Sequence, residues 1–371
     1  MKIAQVAPVG ERVPPKKYGG TERVVHALTE ELVKRGHDVT LFASGDSTTS
    51  ANLVASVPKA LREAGSQNPY GAEYLSMLNI GTAYKAQSKF DVIHDHNVYL
   101  SLPTAILATT PVVMTLHGAI DADSRRFFEN LNNKHNPFFV SISYSQRLPL
   151  PNLNYIGNVY HGLEMTDYPY SKESDGYLLF VGRISPEKGV HHAIEVAEYL
   201  DIPLIIAAKL DPADKKYFKK FIEPRLSEKI QWIGEVDQEK RNYLMSKALC
   251  FLHPVQWREP FGLTMIEAMA CACPVVAFRR GSIPEIVKDK KTGYIVEDSA
   301  EMIEAVKNIH KIDRQECRKH ALSRFNAEKM TDEYIQIYKS ILSDREKKKM
   351  KIEGKNGKRL KISYSEHAHQ I

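Results

Sequence analysis

The stretch Arg258-Glu259-Pro260-Phe261-Gly262-Leu263-Thr264-Met265-Ile266-Glu267 places one carboxylate on either side of an expected loop-to-helix junction. Pro260 and Gly262 punctuate a loop, whereas Leu263, Ile266 and Ala270 recur at helical spacing, which predicts a helix starting between Phe261 and Thr264. Glu259 then precedes the helix and Glu267 lies within it. The backbone N–H groups of Phe261, Gly262 and Leu263 have no intrahelical acceptors and offer an anion site. Carboxylates that accept hydroxyls, beside amides that accept phosphate, fit a ligand that is both sugar and phosphate. The competing reading is a solvated Glu at a helix start and a second on its flank. Spacing alone does not separate the two.

Upstream, Tyr177-Leu178-Leu179-Phe180-Val181 reads as a buried strand, and Gly182-Arg183-Ile184-Ser185-Pro186-Glu187-Lys188-Gly189 follows it. Ser185 is expected to cap a helix with Pro186 in its first turn, and Val190, Ala193, Ile194 and Ala197 form an inward stripe. Arg183 and Lys188 flank that helix start. A planar guanidinium and a mobile ammonium beside free helical N–H groups make a diphosphate clamp; solvated basic residues at a helix start are the alternative. Further strands are expected at 203–208, 230–234, 249–252, 274–278 and 292–296, with a helix over 211–221.

The amino-terminal half opens on an apolar strand at 2–7 and a loop through Gly10, Pro14, Pro15, Gly19 and Gly20. A helix is expected next, with Thr21 as its cap, Val24, Val25, Leu28 and Leu32 as its apolar stripe, and Gly36 ending it. A strand at 38–43 completes a strand–helix–strand unit, which implies a parallel pair. The loop lacks Gly-x-Gly-x-x-Gly spacing, which disfavours a dinucleotide-dependent dehydrogenase. Gly19-Gly20 either brings bare backbone to a phosphate or only makes a turn. More strands are expected at 90–94, 112–116, 138–142 and 154–160. Ligands of open parallel sheets collect beyond the carboxyl ends of strands, and His117-Gly118 stands at such an end. His94-Asp95-His96-Asn97 is placed similarly. Neighbours on a strand point to opposite faces, so hydrogen-bonding roles at a cleft rim are expected there and no metal site.

The 371 residues, 43% apolar, are enough for two α/β domains. The boundaries expected are 1–165, a polar linker at 166–176, a second domain at 177–327, a helix at 328–343 and a basic tail at 344–371. No apolar run approaches the ~18 residues of a spanning helix, and the start reads as a strand, so a soluble cytoplasmic protein is expected. Cys250, Cys271, Cys273 and Cys317 lack paired spacing and read as buried reduced thiols. The net charge is +6, of which the tail carries +5, leaving the body nearly neutral. A solvated, partly disordered tail is expected, with attraction to anionic lipid as a secondary role at ~1 kcal/mol per basic residue.

Taken together, these motifs resemble family 4 of the retaining glycosyltransferases, whose GT-B fold sets two Rossmann-like domains across a cleft. The resemblance runs from Lys2 to about Leu342. It rests on Glu259 and Glu267 with the ordered set Gly19-Gly20, His117-Gly118, Gly182-Arg183 to Lys188-Gly189, and Gly281-Ser282-Ile283-Pro284-Glu285. It implies a nucleotide-diphosphate sugar as donor, UDP slightly favoured over GDP, a saccharide or other hydroxyl acceptor on the amino-terminal domain, retention, and neither metal nor cofactor. Glu267 would hold the ribose. Glu259, Phe261, Gly262 and Leu263 would meet the sugar and its phosphate, Arg183 and Lys188 the diphosphate, Gly19-Gly20 the phosphates from the facing domain, and His117 the sugar near its anomeric carbon. The base would rest by Ile233-Gly234. Two departures bear on the acceptor: Ala272-Cys273 stands where Gly-Thr is usual, and Asn158-Val159-Tyr160-His161-Gly162 carries Tyr-His where Asn-Gly is common. Neither is expected to touch the donor residues. Acceptor contacts are expected from the loops 11–17 and 121–135.

Two other functions compete. A GT-B sugar-nucleotide epimerase would use the same clamp without an acceptor. A nucleic-acid-binding protein would use the basic tail, but the near-neutral body lacks the basic face that phosphate-backbone affinity needs.

Overall fold

Alternating strands and helices build two open parallel sheets in this computed structural model, which describes residues 1–17, 19–64, 70–131 and 136–366, with side chains up to residue 347. The first sheet takes β1 (Lys2–Val6), β2 (Asp38–Ser44), β3 (Asn52–Val57), β4 (Val92–Asp95), β5 (Val112–Thr115), β6 (Phe138–Ser141) and β7 (Tyr155–Asn158). Their order is β3-β2-β1-β4-β5-β6-β7. The second takes β8 (Leu178–Arg183), β9 (Leu204–Lys209), β10 (Ile230–Trp232), β11 (Cys250–His253), β12 (Val275–Phe278) and β13 (Gly293–Val296), in the order β10-β9-β8-β11-β12-β13. Both are doubly wound, and strand order reverses beside β1 and beside β8. Those switch points are where such sheets hold ligands. Strand β3 sits mostly exposed at the sheet edge and is not among the strands expected from sequence.

The helices that matter for the cleft are α1 (Gly20–Lys34), α2 (Gly71–Lys85), α3 (Val190–Leu200), α4 (Gln238–Lys247), α5 (Leu263–Ala270) and α6 (Ala327–Glu366). Thr21 is not the cap expected of it, because α1 begins one residue earlier, after Gly19. Gly36 does end that segment in a left-handed conformation, at φ 78°. Ser185 caps no α-helix either: Pro186–Lys188 forms a 3-10 turn, Gly189 turns the chain at φ 71°, and α3 begins at Val190. Only glycine fits at 189, since a Cβ would lie 2.0 Å from the Pro254 carbonyl oxygen. The helix expected over 211–221 is irregular, passing from a 3-10 turn through one α turn to a π turn at Phe218–Ile222. Pro224 has no N–H to extend a regular ladder.

The carboxyl-terminal helix departs furthest from expectation. Instead of stopping near Leu342 before a loose tail, α6 continues to Glu366. No proline interrupts 327–366, which is rich in Lys and Glu, and Gly354 and Gly357 are the residues that oppose the helix most. Although α6 leaves the second sheet, it packs on the first domain. Tyr338 Oη lies 2.6 Å from His94 Nδ1, Tyr334 Oη lies 2.7 Å from Thr115 Oγ1, and Thr115 Oγ1 lies 2.7 Å from His94 Nε2. His94 is therefore a fully buried tether for α6, not a group at the cleft rim. The chain crosses between domains twice, once through the irregular residues 159–177 and once into α6. All four cysteines are buried and unpaired.

Tyr338→Phe removes a partner from a buried imidazole nitrogen, which costs about 1–3 kcal/mol. Thermal unfolding should show a lowered midpoint, and an unchanged midpoint would mean that the His94 bond does not secure α6.

Candidate active site

The loop before α5 is held from three sides. Ser282 N donates to Glu259 O at 2.9 Å, Ser282 Oγ to Phe261 O at 2.9 Å, and Ser143 Oγ from the other domain to Pro260 O at 2.7 Å. Gly262, at φ 87°, then turns the chain into α5 at Leu263, within the expected boundary. The Phe261 ring is buried between the domains, 5.0 Å from His161 and 5.9 Å from Phe325 between centroids. Its side chain wedges the loop in place, and the residue lines the larger cavity described next.

Two connected cavities lie above the switch points. The smaller, about 160 Å³, is lined by six cations, Lys17, Arg23, Arg183, Lys188, Lys209 and Arg241, against two carboxylates, Glu235 and Glu259. Gly19, Gly20, Gly182, Gly262 and Leu263 complete its walls. The larger, about 760 Å³, brings His117 from the first domain together with Arg183, Lys188, Glu259 and Phe261 from the second. Of the residues singled out from sequence, Ile233 and Gly234 line neither cavity; Glu235 and Val236 beside them line the smaller one instead.

Each cation of the expected clamp has a carboxylate partner. Lys188 Nζ lies 2.8 Å from Glu259 Oε2 and 4.5 Å from the centre of the Trp257 ring, whose Nε1 donates to the same oxygen at 2.9 Å. Burial pushes the Glu259 carboxyl up, but Lys188, His253 and the Trp257 bond outweigh it and leave it below the usual range. His253, 3.8 Å away, is pulled down to about 4, mainly by burial. Arg183 pairs with Glu187 and stands 4.0 Å from Asp214.

Glu267 is fully buried and lines neither cavity. Its Oε1 accepts from Arg241 of α4 at 2.9 Å and from Arg23 of α1, and its Oε2 is buried without a hydrogen-bond partner among the described residues. One carboxylate thus joins a cation from each domain. Arg23, Arg241 and Lys209 escaped the sequence reading, although Lys209 stands at the carboxyl end of β9, where the strand-end rule points.

A row of histidines backs the cleft. His96 Nε2 lies 2.8 Å from Gln5 Oε1, His96 Nδ1 lies 2.8 Å from His117 Nε2, and His117 Nδ1 lies 3.3 Å from His161 Nε2. Both ring nitrogens of His117 are engaged, so it faces the cavity through ring and backbone. His96 is buried behind it, away from the rim where it was expected. His161, expected to stay clear of the donor residues, touches both His117 and Phe261. Burial lowers His117 to about 3 and places His96 and His161 well below their ordinary value, with neighbouring rings adding to the shift for the latter two.

Comparison with known proteins gives this geometry a setting. The family model described as "Glycosyl transferases group 1" matches residues 169–329, and that described as "Glycosyltransferase Family 4" matches 18–147. N-acetyl-alpha-D-glucosaminyl L-malate synthase of Bacillus anthracis is 24% identical, over 88% of this chain and 95% of its own. Phosphatidyl-myo-inositol mannosyltransferase of Propionibacterium freudenreichii subsp. shermanii is 26% identical, over 78% and 80%. Among solved structures, Anabaena HepE in complex with UDP and glucose is 18% identical, with a TM-score of 0.71 over 92% of this chain and 100% of that one.

The shifts at the histidine row predict that the His117 ring resonances hold one position from pH 8 to pH 5 in a nuclear magnetic resonance titration. A midpoint near the ordinary value of about 6.5 would contradict the buried, neutral row. Arg241→Met should destabilise the fold by ~3–5 kcal/mol in urea unfolding, since it leaves a buried carboxylate with one partner fewer; a change under ~1 kcal/mol would contradict that pairing.

Proposed function

Because the chain belongs to the family 4 glycosyltransferases of GT-B architecture, we propose that it moves a hexosyl group from a nucleotide-diphosphate sugar to a hydroxyl acceptor, retaining the anomeric configuration without a divalent metal. The observation that carries this reading is the smaller cavity, whose six cations against two carboxylates suit a diphosphate. UDP is favoured over GDP by the Anabaena structure solved with UDP and glucose.

When the anomeric C–O bond breaks, negative charge grows on the diphosphate. Cations fixed there beforehand stabilise that charge without reorganising. Arg183 and Lys188 fill this role, with the exposed amides before α5 and the bare backbone of Gly19-Gly20 closing the remaining sides. Lys188 can exchange Glu259 for phosphate, which frees the Glu259 carboxylate to accept a sugar hydroxyl. Glu267 lies behind Arg23 and Arg241, so it would take ribose hydroxyls through Oε2, the atom without a partner among the described residues, once donor binding draws Arg23 aside. Glu259 is not required as a nucleophile, since same-face attack retains configuration while the diphosphate leaves. Bringing donor and hydroxyl together between two domains adds an entropic advantage and excludes water. The basic stretch of α6 would add weak attraction to an anionic lipid surface.

Arg183→Ala and Lys188→Ala should each slow sugar transfer by about 10²-fold or more with unfolding midpoints near wild type; full activity in both would remove the clamp. EDTA should leave the rate unchanged, and a loss restored by magnesium or manganese would overturn metal independence. Glu267→Ala should weaken UDP binding in calorimetry, and an unaltered affinity would take the ribose role away.

A further inference from the structure

Beyond the cations, the larger cavity runs into the amino-terminal domain, where Glu11, Glu22, Leu61, Arg62 and Ser76 form its wall. The charge changes sign there. Arg62 lies 2.6 Å from Glu11 and 2.9 Å from Glu235, so the cation of this wall is already matched by two carboxylates. Ser76 Oγ donates to Ala72 O at 2.8 Å within α2. Glu22, in the first turn of α1, is 7% exposed and forms no ion pair among the described residues; its own backbone N–H is a hydrogen-bonding neighbour. Its carboxyl lies against Gly19, where a Cβ would fall 3.0 Å from Glu22 Oε2 and 2.7 Å from Pro15. Gly19 also lines the cationic cavity, so Glu22 stands where the two chambers meet.

We propose that this wall is the acceptor subsite, that it takes an uncharged sugar, and that the Glu22 carboxylate accepts the hydrogen bond of the attacking hydroxyl. The proposal rests on the transferase reading of the cationic cavity. An attacking hydroxyl needs an acceptor for its proton. Arg62 can only donate, a serine hydroxyl is too weak a base to keep the proton, and Glu11 shares its charge with Arg62, whereas Glu22 forms no ion pair among the described residues, which favours Glu22. On attack, the new bond forms between the acceptor oxygen and the anomeric carbon, and the bond to the diphosphate breaks with its electron pair on the diphosphate. The hydroxyl proton passes to Glu22. A phosphorylated acceptor would bring its charge to the wall that carries Glu11 and Glu22, where a like charge is disfavoured.

Burial, reinforced by Glu11 and opposed by Arg23, lifts Glu22 to about 7. Arg62, Arg183, Lys188, Lys209 and Glu259 line the same cavity, Glu11 and Arg23 are the charges that act on Glu22, and His117 is neutral. The carboxylate is the competent form, so it is gained as pH rises through about 7, and the acceptor-limited rate rises with it.

The test uses the full chain with UDP-glucose as donor and glucose, mannose and N-acetylglucosamine as acceptors, each beside its 6-phosphate. The wild type should prefer the neutral sugars, with a rate that climbs from pH 6 to pH 8. Glu22→Gln should lower kcat by about 10²-fold or more and flatten that climb while UDP affinity stays at the wild-type value, and Glu22→Asp should recover part of the rate. Glu22→Gln at full rate, preference for the 6-phosphates, or no transfer to any neutral sugar would each overturn the proposal. A wild type that does not bind UDP overturns the transferase reading itself, whereas UDP binding with an unimpaired Glu22→Gln overturns this proposal alone. Should Glu22→Gln fail to fold, the wild-type acceptor preference and pH profile still decide.

Discussion

Glu267 is the point through which the two domains share charge. A fully buried carboxylate is costly unless cations reach it, and here they arrive from opposite sides, Arg23 from α1 and Arg241 from α4. The pair of arginines fixes how the first turn of α1 stands over the first turn of α5. Those two turns carry Gly19-Gly20 on one side and Gly262-Leu263 on the other, the same residues that line the cationic cavity. Geometry of the cleft therefore follows from an electrostatic constraint below its floor.

Charge is also what divides the cleft. Cations exceed carboxylates where a diphosphate would lie, and carboxylates match or exceed cations on the amino-terminal wall. A body carrying almost no net charge thus still holds one chamber with a local surplus of cations. The neutral histidine row behind His117 adds no charge to this division. It joins strands β4 and β5 to the 158–162 segment by ring-to-ring hydrogen bonds.

Much of the fold was legible because parallel strands buried on both faces read as short apolar runs, and their ends set the loops of the cleft. Glu259, Gly262, Arg183 and Lys188 were legible for the same reason: each follows a strand end or opens a helix. What could not be read depends on contacts between distant segments. Arg23 and Arg241 look like ordinary surface residues until α1 and α4 are brought over Glu267. Ile233-Gly234 rests on resemblance alone, and the cavity wall runs two residues further on, at Glu235 and Val236. Helix α6 is longer than the sequence suggests, because a lysine-rich segment reads as solvated tail while helix propensity without proline carries it onward. His161 belongs by sequence to the acceptor-side motif, and its place in the row depends on the crossover after β7.

The central claim is that the cationic cavity exists to hold a diphosphate. Calorimetric titration with UDP and, separately, with uridine tests it most directly, because the two ligands differ only in that group. The account predicts that UDP binds at least about 100-fold more tightly, a difference of ~2.7 kcal/mol. Equal affinity for UDP and uridine would contradict it.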